Sequence, residues 1–260
     1  MAEFLTVTET PGQWATAEQL AMMSTRYGLA EKYSRDKEVL EIACGSGFGL
    51  GWLASQARSV IGGDIDHRNL EIAKKTYQGR DNIRISLMNA LDLPLANESL
   101  DTIVIFEAIY YLEDVGKFLS EAKRVLRPGG ALLISTVNRE WHGFNPSPFS
   151  QRYLSAREIS ELLSTSGFES EIFKAFHDMP KSFKKRVVAG ARKAAVWLDL
   201  IPKSMDGKKY LKRIFYGKLS PIQPELMPET DRAEALLEVK SNSQITNYKV
   251  LYAIGKKPEL

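Results

Sequence analysis

The sequence predicts an α/β fold in which a mostly parallel sheet is covered by helices on both faces. Short apolar runs alternate with helical patterns from residue 39 to residue 137, which is typical of a chain that crosses back over its own sheet. The first run leads into a glycine-rich turn and then a helix. The fourth run is almost wholly apolar, as expected for a central strand buried on both faces.

Seven runs have the composition of strands, and helical periodicity lies between most of them. The strands are predicted at residues 39–44, 59–63, 83–88, 102–106, 131–137, 169–176 and 248–255. Helices are predicted at residues 15–23, 27–33, 48–56, 69–76, 115–125 and 155–164. The run Arg127-Pro128-Gly129-Gly130 predicts a stop after the helix at 115–125, and Ser155 with Glu158 predicts a capping box.

Composition narrows the class of protein. Of the 260 residues, 44% are apolar and 26% are charged, as in soluble globular proteins. No apolar run approaches the roughly 18 residues of a bilayer-spanning helix. The N-terminal segment lacks the features of a signal peptide, so we expect a cytoplasmic location. The single cysteine, Cys44, excludes an internal disulfide; it is a candidate nucleophile, but a small buried residue at a strand end is the preferred interpretation.

The length suits one domain with additions. We divide it into an N-terminal helical cap (1–36), a core with the glycine-rich turn (37–137), a loop, helix and strand (138–176), a basic helical insertion (177–243) and a last strand with its tail (244–260).

The glycine-rich turn predicts close contact between backbone and ligand. Gly45, Gly47, Gly49 and Gly51 leave the backbone open there. The turn lacks the Lys-Ser/Thr pair of a P-loop, and its third glycine comes one residue earlier than in G-x-G-x-x-G. A nucleoside ligand without phosphates therefore fits this turn better than a dinucleotide or ATP.

Polar residues end the neighbouring strands, at the edge where parallel sheets bind ligands. Asp64 ends the second strand and is suited to accept both hydroxyls of a ribose, the alternative being a helix N-cap. Asn89 and Ala90 end the third strand, where an amide beside a free backbone N–H can contact the edge of an adenine. Phe106 and Glu107 end the fourth strand at the rim of the same pocket.

Together these segments resemble the class I S-adenosylmethionine-dependent methyltransferases. VLEIACGSGFG is similar to the first motif of that family, VIGGDID to its ribose-binding motif, and AKRVLRPGGALLIST to the turn before its fifth strand. RYGLAEKY is similar to the helix that many members place over the methionine end of the cofactor. The resemblance implies a Rossmann-like, doubly wound sheet of seven strands with an antiparallel last strand, and S-adenosyl-L-methionine as the cofactor.

The resemblance also implies a set of cofactor-binding residues and no metal. The set is Tyr27, Glu41, Ala43, Gly45, Ser46, Gly47, Asp64, Ile65, Asn89, Ala90, Leu91, Phe106 and Glu107. Within it, Glu41, Gly45 and Gly47 would line the methionine portion, Asp64 would bind the ribose, and Ile65 would pack on the adenine.

Two residues depart from the family pattern. Asn89 stands where Asp is commoner, and its amide oxygen can still accept a hydrogen bond from the adenine amino group. Ala43 stands where Gly is commoner, so we expect an ordinary φ at this strand end.

Three residues are candidates for the acceptor side. If the acceptor is a hydroxyl, a general base speeds methyl transfer, and His142, in the loop after the fifth strand, is the candidate base; the alternative is a loop histidine that only packs. Tyr110 and Tyr111 follow the fourth strand and would either orient an acceptor or wall the pocket.

Positive charge is concentrated in one region. Residues 174–218 contain thirteen Lys or Arg against three Asp, whereas the whole chain has a net charge of +3. Helices are predicted here at 182–200 and 208–218. The region can be a solvated cap over the acceptor pocket, a binding surface for an anionic acceptor, or a peripheral contact with an anionic membrane through 182–218. No nucleic acid partner is expected, because no RNA-binding module is recognised.

The predicted function is methyl transfer to a small molecule, sugar or glycan precursor, with O-methylation favoured over N-methylation. A lipid or quinone acceptor at the membrane surface is the first alternative. A scaffold that binds S-adenosylmethionine without catalysis is the second. The choice between monomer and homodimer stays open.

Overall fold

The computed structural model describes residues 8–147, 149–178, 219–228, 233–239 and 244–259. The strands are β1 Trp14–Thr16, β2 Glu38–Ile42, β3 Ser59–Asp64, β4 Ile83–Leu87, β5 Leu100–Phe106, β6 Leu126–Val137, β7 Glu169–His177, β8 Leu219–Pro221, β9 Leu237–Glu238 and β10 Tyr248–Lys256. The helices are α1 Ala17–Ser34, α2 Leu50–Ala54, α3 His67–Thr76, α4 Val115–Val125 and α5 Ala156–Thr165, with a short 3-10 helix at Ile109–Tyr111.

The main sheet has the order β4-β3-β2-β5-β6-β10-β7-β9. Strands β2 to β6 pair in parallel, and β10 is antiparallel to both β6 and β7. The predicted Rossmann-like sheet with its antiparallel last strand is confirmed. The two-residue strand β9 adds an antiparallel edge beside β7, which the sequence did not predict. A separate ladder joins β1 to β8.

The core lies on both faces of the sheet, as alternation along β5 shows. Ile103 and Ile105 pack on the side of α4 and α5, whereas Val104 and Phe106 pack on the side of α1, α2 and α3. Successive side chains of a strand point to opposite faces, so a strand covered on both faces must be apolar throughout. This explains the unbroken apolar run that predicted a central strand.

Several predicted elements differ in their bounds. The helices predicted at 15–23 and 27–33 form one helix, α1, which begins at a capping box of Thr16 and Gln19 and contains a hydrogen bond from the Thr25 hydroxyl to the Ala21 carbonyl. The helix predicted at 48–56 is the five-residue α2. The helices predicted at 182–200 and 208–218 lie outside the described residues.

The segment 127–130, which was predicted to end the helix α4, forms a bulge within the strand β6. Leu126 pairs with Leu100 and Ala131 pairs with Thr102, so residues 127–130 stand opposite Asp101 alone. Gly129 has a φ of 72° there, and Arg127 forms ion pairs with Asp101 and Glu38. The capping box of Ser155 and Glu158 is confirmed at the start of α5.

Within the described residues, no helix combines the length and the apolar character needed to cross a membrane.

Helices α1 and α2 meet closely because Gly49 has no side chain. The ring of Tyr27 lies where a Cβ of residue 49 would stand, and it stacks on Trp52 with ring centroids 6.2 Å apart. Both aromatic side chains are almost completely buried. A side chain at residue 49 would therefore push Tyr27 out of the core.

We predict that Gly49→Ala lowers the free energy of unfolding by about 1–3 kcal/mol or more, because overpacking a closed core forces side chains out of their rotamers. Urea unfolding followed by circular dichroism measures the effect. Gly116→Ala is the matched control: its backbone also has an ordinary φ, and a Cβ there meets only Asp114 Oδ1 at 3.4 Å. The control should change stability by no more than about 1 kcal/mol. Equal losses in the two variants would contradict this account of the contact.

Candidate functional site

A cavity of about 460 Å³ lies at the carboxyl ends of β2, β3, β4 and β5. The sheet changes winding direction at this place, since β2 has β3 on one side and β5 on the other. Ligands of open parallel sheets bind at such a point. The cavity is therefore the first candidate for the binding site.

Most of the predicted site residues line this cavity. They are Tyr27, Glu41, Ala43, Gly45, Asp64, Ile65, Asn89, Ala90, Leu91, Phe106, Glu107, Tyr110 and Tyr111. Ser46, Gly47 and His142 do not line it. The structure thus brings together residues that are up to 84 positions apart in the sequence, from Tyr27 to Tyr111.

The turn after β2 is tied to the end of β3. The backbone N–H of Gly45 donates to Asp64 Oδ2 at 2.8 Å, and Asp64 Oδ1 accepts from the Asp66 N–H at 2.8 Å. Burial raises the pKa of the Asp64 carboxyl, although these two hydrogen bonds act to lower it. The helix N-cap is Asp66, whose side chain accepts from the Arg68 N–H. The alternative role of Asp64 as N-cap is therefore wrong.

Two residues of the turn serve packing. Ser46 is fully buried, and its hydroxyl donates to the Glu9 carbonyl at 2.9 Å. Gly47 has a φ of 75°, its carbonyl accepts from the Tyr77 hydroxyl, and a Cβ there would stand 2.9 Å from the Ala73 Cβ. Both residues stabilise the turn on the side that faces away from the cavity. Their position does not support the prediction that they contact the cofactor directly.

The backbone is left-handed at two adjacent strand ends. Ala43 has a φ of 57° directly after β2, and Glu107 has a φ of 52° directly after β5. The expectation of an ordinary φ at Ala43 is wrong, because the chain must turn sharply out of a central strand. Such a conformation costs an L-residue about 1–2 kcal/mol, which explains why glycine is commoner there. Strained backbone of this kind often accompanies functional sites.

Glu41 and Tyr27 form a buried polar pair on the cavity wall. The Tyr27 hydroxyl donates to Glu41 Oε1 at 2.6 Å, while Glu41 Oε2 is buried without a hydrogen-bond partner. Burial raises the pKa of the Glu41 carboxyl to about 7, although Tyr27 and Arg26 favour the ionised form. An unused buried acceptor of this kind fits the ammonium group of an amino acid ligand.

The other end of the cavity suits a nucleobase. Ile65 lines it with 59% of its surface exposed, which offers an apolar face. Asn89 Oδ1 accepts from the Leu91 N–H at 2.9 Å and keeps a second lone pair for another donor. Amino acid, ribose and adenine contacts are thus available in one cavity, so the residues present fit S-adenosylmethionine.

Comparison with known proteins shows which family the core of the chain is similar to. Residues 40–134, which contain the turn, Asp64, Asn89 and Glu107, match a family model described as a methyltransferase domain. A probable S-adenosylmethionine-dependent methyltransferase of Mycolicibacterium smegmatis is 43% identical over 141 residues. Residues 40–134 thus match the methyltransferase-domain family, and the chain is similar to S-adenosylmethionine-dependent methyltransferases. The cofactor of this family is S-adenosylmethionine.

Further similar proteins extend the comparison. The alignment with the Mycolicibacterium protein covers 52% of this chain and 53% of the relative, so the chain spans about half the length of that curated relative. A malonyl-[acyl-carrier protein] O-methyltransferase of Hahella chejuensis is 26% identical over 83% of both chains. The YcgJ protein of Bacillus subtilis shares the fold, with a TM-score of 0.59 at 18% identity over 92% of this chain and 100% of that one.

The end of the cavity after β5 is aromatic. The rings of Tyr110 and Tyr111 lie 4.6 Å apart, and Tyr110 stacks on Tyr153 at 4.3 Å. The Tyr111 and Ser147 hydroxyls are 2.7 Å apart. Glu107 lies beside these rings, where burial raises the pKa of its carboxyl and the Ser135 hydroxyl donates to it at 3.2 Å.

His142 lies outside the cavity. Its ring Nδ1 is 3.0 Å from the Thr246 carbonyl oxygen, and its Nε2 is 3.7 Å from Asp178 Oδ2. The side chain is 42% exposed. The assignment of His142 as catalytic base is therefore not supported, because these contacts hold the imidazole on the surface near β10.

A charged pair in the cavity was not predicted from the sequence. Arg26 of α1 and Glu9 of the N-terminal segment both line the cavity and form an ion pair. Phe48, Asn69 and other wall residues were also not predicted. The available signal was Arg26, which directly precedes the predicted site residue Tyr27. An arginine is almost never fully buried unless it is paired, so a partner such as Glu9 was to be expected.

We predict that the Glu41 carboxyl makes stability depend on pH. Its pKa is about 7 in the folded protein against an ordinary value near 4.5, so the folded state binds the extra proton between these pH values. The contribution of this carboxyl to stability is therefore greatest below pH 4.5 and is lost as the pH rises through 7, by up to about 3 kcal/mol. Glu41→Gln should remove this loss and become more stable relative to the wild type as the pH rises.

Urea unfolding at pH 5 and pH 7.5 without cofactor measures this difference. Glu71→Gln is the control, because the Glu71 side chain is 67% exposed beside Lys74. If the advantage of Glu41→Gln over the wild type does not grow with pH, the buried carboxyl does not titrate as described.

Proposed function

We propose that this protein transfers a methyl group from S-adenosylmethionine to a hydroxyl of a small-molecule, sugar or glycan-precursor acceptor. The observation that carries the proposal is that one cavity joins the cofactor residues Glu41, Gly45 and Asp64 to an aromatic wall with a carboxyl, Tyr110 and Glu107. Cofactor and acceptor positions are thereby adjacent, as direct transfer between two bound molecules demands.

Different residues along the cavity contact different parts of the cofactor in this proposal. Glu41 offers a carboxylate oxygen to the ammonium group of the methionine portion, and Asp64 offers its carboxylate to the ribose hydroxyls. Asn89 and Ile65 supply the polar and apolar contacts for the adenine. S-adenosylmethionine, when bound, supplies an electrophilic methyl group on a sulfonium.

O-methylation is favoured because a proton acceptor lies on the acceptor side. As the acceptor oxygen bonds to the methyl carbon, the carbon–sulfur bond breaks, its electron pair goes to sulfur, and the hydroxyl proton needs a base. Glu107 is suited to this role, since burial raises the pKa of its carboxyl and so makes it a stronger base than an exposed carboxylate. The Tyr110 and Tyr111 rings can orient the acceptor against it. The Hahella relative, an O-methyltransferase by name, agrees with this choice.

An anionic acceptor, or a lipid or quinone acceptor at a membrane, would depend on the basic region 182–218. That region lies outside the described residues. The lipid or quinone acceptor is therefore an outcome of the labelling experiment below.

We predict that Asp64→Asn weakens binding of S-adenosylmethionine and of its demethylated product about 10-fold to 100-fold, because each hydrogen bond to a charged carboxylate contributes about 1.5–3 kcal/mol. Isothermal titration calorimetry measures both affinities. Asp66→Asn is the control: Asp66 caps α3 and pairs with Arg68 but does not line the cavity. It should alter stability and leave both affinities within about threefold. Failure of the wild type to bind either ligand at micromolar concentration would contradict the proposed function.

We predict that the acceptor is found in the water-soluble fraction of a cell extract. The protein is incubated with S-adenosylmethionine carrying an isotopically labelled methyl group and with the aqueous or the lipid fraction of the source cells. Mass spectrometry should detect a labelled methyl ether in the aqueous fraction. A labelled product only in the lipid fraction would overturn the water-soluble acceptor, and a labelled amine would overturn O-methylation. Cofactor binding without any labelled product would indicate the scaffold.

A further inference from the structure

A row of polar residues crosses three neighbouring strands beside Glu107. Glu107 directly follows β5 and continues the ladder with β6, because its N–H donates to the Ser135 carbonyl at 2.9 Å. Ser135 in turn stands opposite Tyr252 in the register of β6 and β10. Residues paired in this way share one face of the sheet. Ser135 and Tyr252 therefore lie side by side on the face that is covered by α1.

Ser135 holds the Glu107 carboxyl directly. The Ser135 side chain is completely buried, and its hydroxyl donates to Glu107 Oε1 at 3.2 Å. A hydrogen bond to a carboxylate favours the ionised form, which is the form that accepts a proton. Ser135 does not line the cavity, so its side chain can act on an acceptor only through Glu107.

The Tyr252 hydroxyl is a buried donor that packing alone does not explain. The side chain is 1% exposed, and its hydroxyl has no hydrogen-bond partner within the part of the chain that the structure describes. A phenylalanine would fill the same space without burying an unpaired hydroxyl, which costs free energy. Burial raises the pKa of this hydroxyl, and Glu107 adds to the rise, so the two groups lie within electrostatic reach of each other.

Glu107 needs donors because burial favours its protonated form. Burial raises the pKa of its carboxyl, which strengthens the base but also reduces the fraction that is ionised. The titratable groups that face this carboxyl come from the N-terminal segment, α1, the 3-10 helix, the loop before α5 and β10; they are Glu9, Arg26, Tyr110, Tyr111, Tyr153 and Tyr252. Of these six groups, only Tyr252 belongs to the main sheet.

We propose that Ser135 and Tyr252 are positioning residues that hold the Glu107 carboxylate ionised and directed at the acceptor. Ser135 acts by its hydrogen bond, and Tyr252 acts by the dipole of its hydroxyl in the same buried layer. The acceptor proton passes to Glu107, and neither positioning residue gives up its own proton. The proposal deepens the proposed function and rests on it, because it takes Glu107 as the base.

Titration of Glu107 tests this inference without an acceptor. The glutamate side-chain carboxyls are labelled with carbon-13, NMR spectra are recorded over a range of pH, and Glu107→Gln identifies the Glu107 resonance. Ser135→Ala should lower the ionisation constant of Glu107 about 10-fold to 100-fold, because a hydrogen bond to a charged group is lost. Tyr252→Phe should lower it about threefold to 10-fold, because the lost hydroxyl acts without a direct hydrogen bond.

Tyr33→Phe is the matched control, since it removes a tyrosine hydroxyl whose charged neighbours are Lys256 and Glu171. It should leave the ionisation constant of Glu107 within about twofold, as expected for a distant site. Ser135→Cys keeps a weaker donor, so its effect should lie between that of Ser135→Ala and the wild type, and it replaces Ser135→Ala if that variant does not fold.

Stability separates the proposed role of Tyr252 from a structural one. Tyr252→Phe removes an unpaired buried hydroxyl, so its midpoint of urea unfolding should equal or exceed that of the wild type. A lower midpoint together with an unchanged titration of Glu107 would indicate that the hydroxyl serves the fold, and the role of Tyr252 in the inference would be wrong.

The pH profile of kcat/KM is the second measurement, with the acceptor that the labelling experiment identifies. The rate falls as the pH drops through the pKa of the base. Ser135→Ala and Tyr252→Phe should move this fall to higher pH by the same factor as in the titration, and both should keep the wild-type rate at alkaline pH. Their affinity for S-adenosylmethionine should stay within about threefold of the wild type, since neither residue lines the cavity.

Two results would overturn the inference. The first is a titration of Glu107 that neither variant changes more than the control does. The second is a shifted titration without a shifted rate profile, which would show that Glu107 is not the base. A wild type that binds S-adenosylmethionine but forms no methyl ether would instead contradict the proposed function, whereas the titration alone decides whether Ser135 and Tyr252 act on Glu107.

Discussion

The sharp turn after β2 is the constraint on which the rest of the site depends. Strand β2 lies between β3 and β5, with Val39, Leu40 and Ile42 almost wholly buried, so the chain can leave it only at the carboxyl edge of the sheet. It does so through left-handed backbone at Ala43, Gly45 and Gly47. The hydrogen bond from Gly45 to Asp64 then fixes this turn to β3. Burial of β2 and the hydrogen bond between Gly45 and Asp64 offset the strain in this backbone. The cavity lies next to the turn, at the carboxyl ends of the strands.

Charge in the cavity follows from the same geometry. Carboxyls at the ends of β2, β3 and β5 converge because parallel strands end at one edge, and Glu41, Asp64 and Glu107 all have their pKa values raised by burial. Such a set of carboxyls favours ligands with positive charge. A sulfonium with an ammonium group meets this condition, whereas a phosphate would be repelled. The absence of P-loop features from the turn agrees with the charge of the finished cavity.

The sequence predicted the parts of the molecule that local patterns determine. Strand and helix alternation, the capping box at Ser155 and the strand-end positions of Asp64 and Asn89 each depend on residues within a few positions of one another, or on the edge that all parallel strands share. Asn89 also shows how a residue can be located correctly while its local hydrogen bond, to the Leu91 N–H, is visible only in the structure.

The predictions that failed depend on distant contacts. The φ of Ala43 follows from how β2 is enclosed, and the pairing of Glu9 with Arg26 joins two segments that no sequence period relates. His142 is held near Thr246, over a hundred positions away, so its place in a loop after a strand was a poor guide to its surroundings.

The small ladder between β1 and β8 has a mechanical consequence. Thr16 pairs with Leu219 and also caps α1, the helix that carries both Arg26 and Tyr27. Nearby, the Leu226 N–H donates to the Phe48 carbonyl in the glycine-rich turn. The chain that emerges from the basic region is therefore connected at two points to the elements around the methionine end of the cavity. Residues 219–226, which come late in the sequence, therefore brace the start of α1 and the glycine-rich turn, although these two elements lie more than 160 positions earlier in the chain.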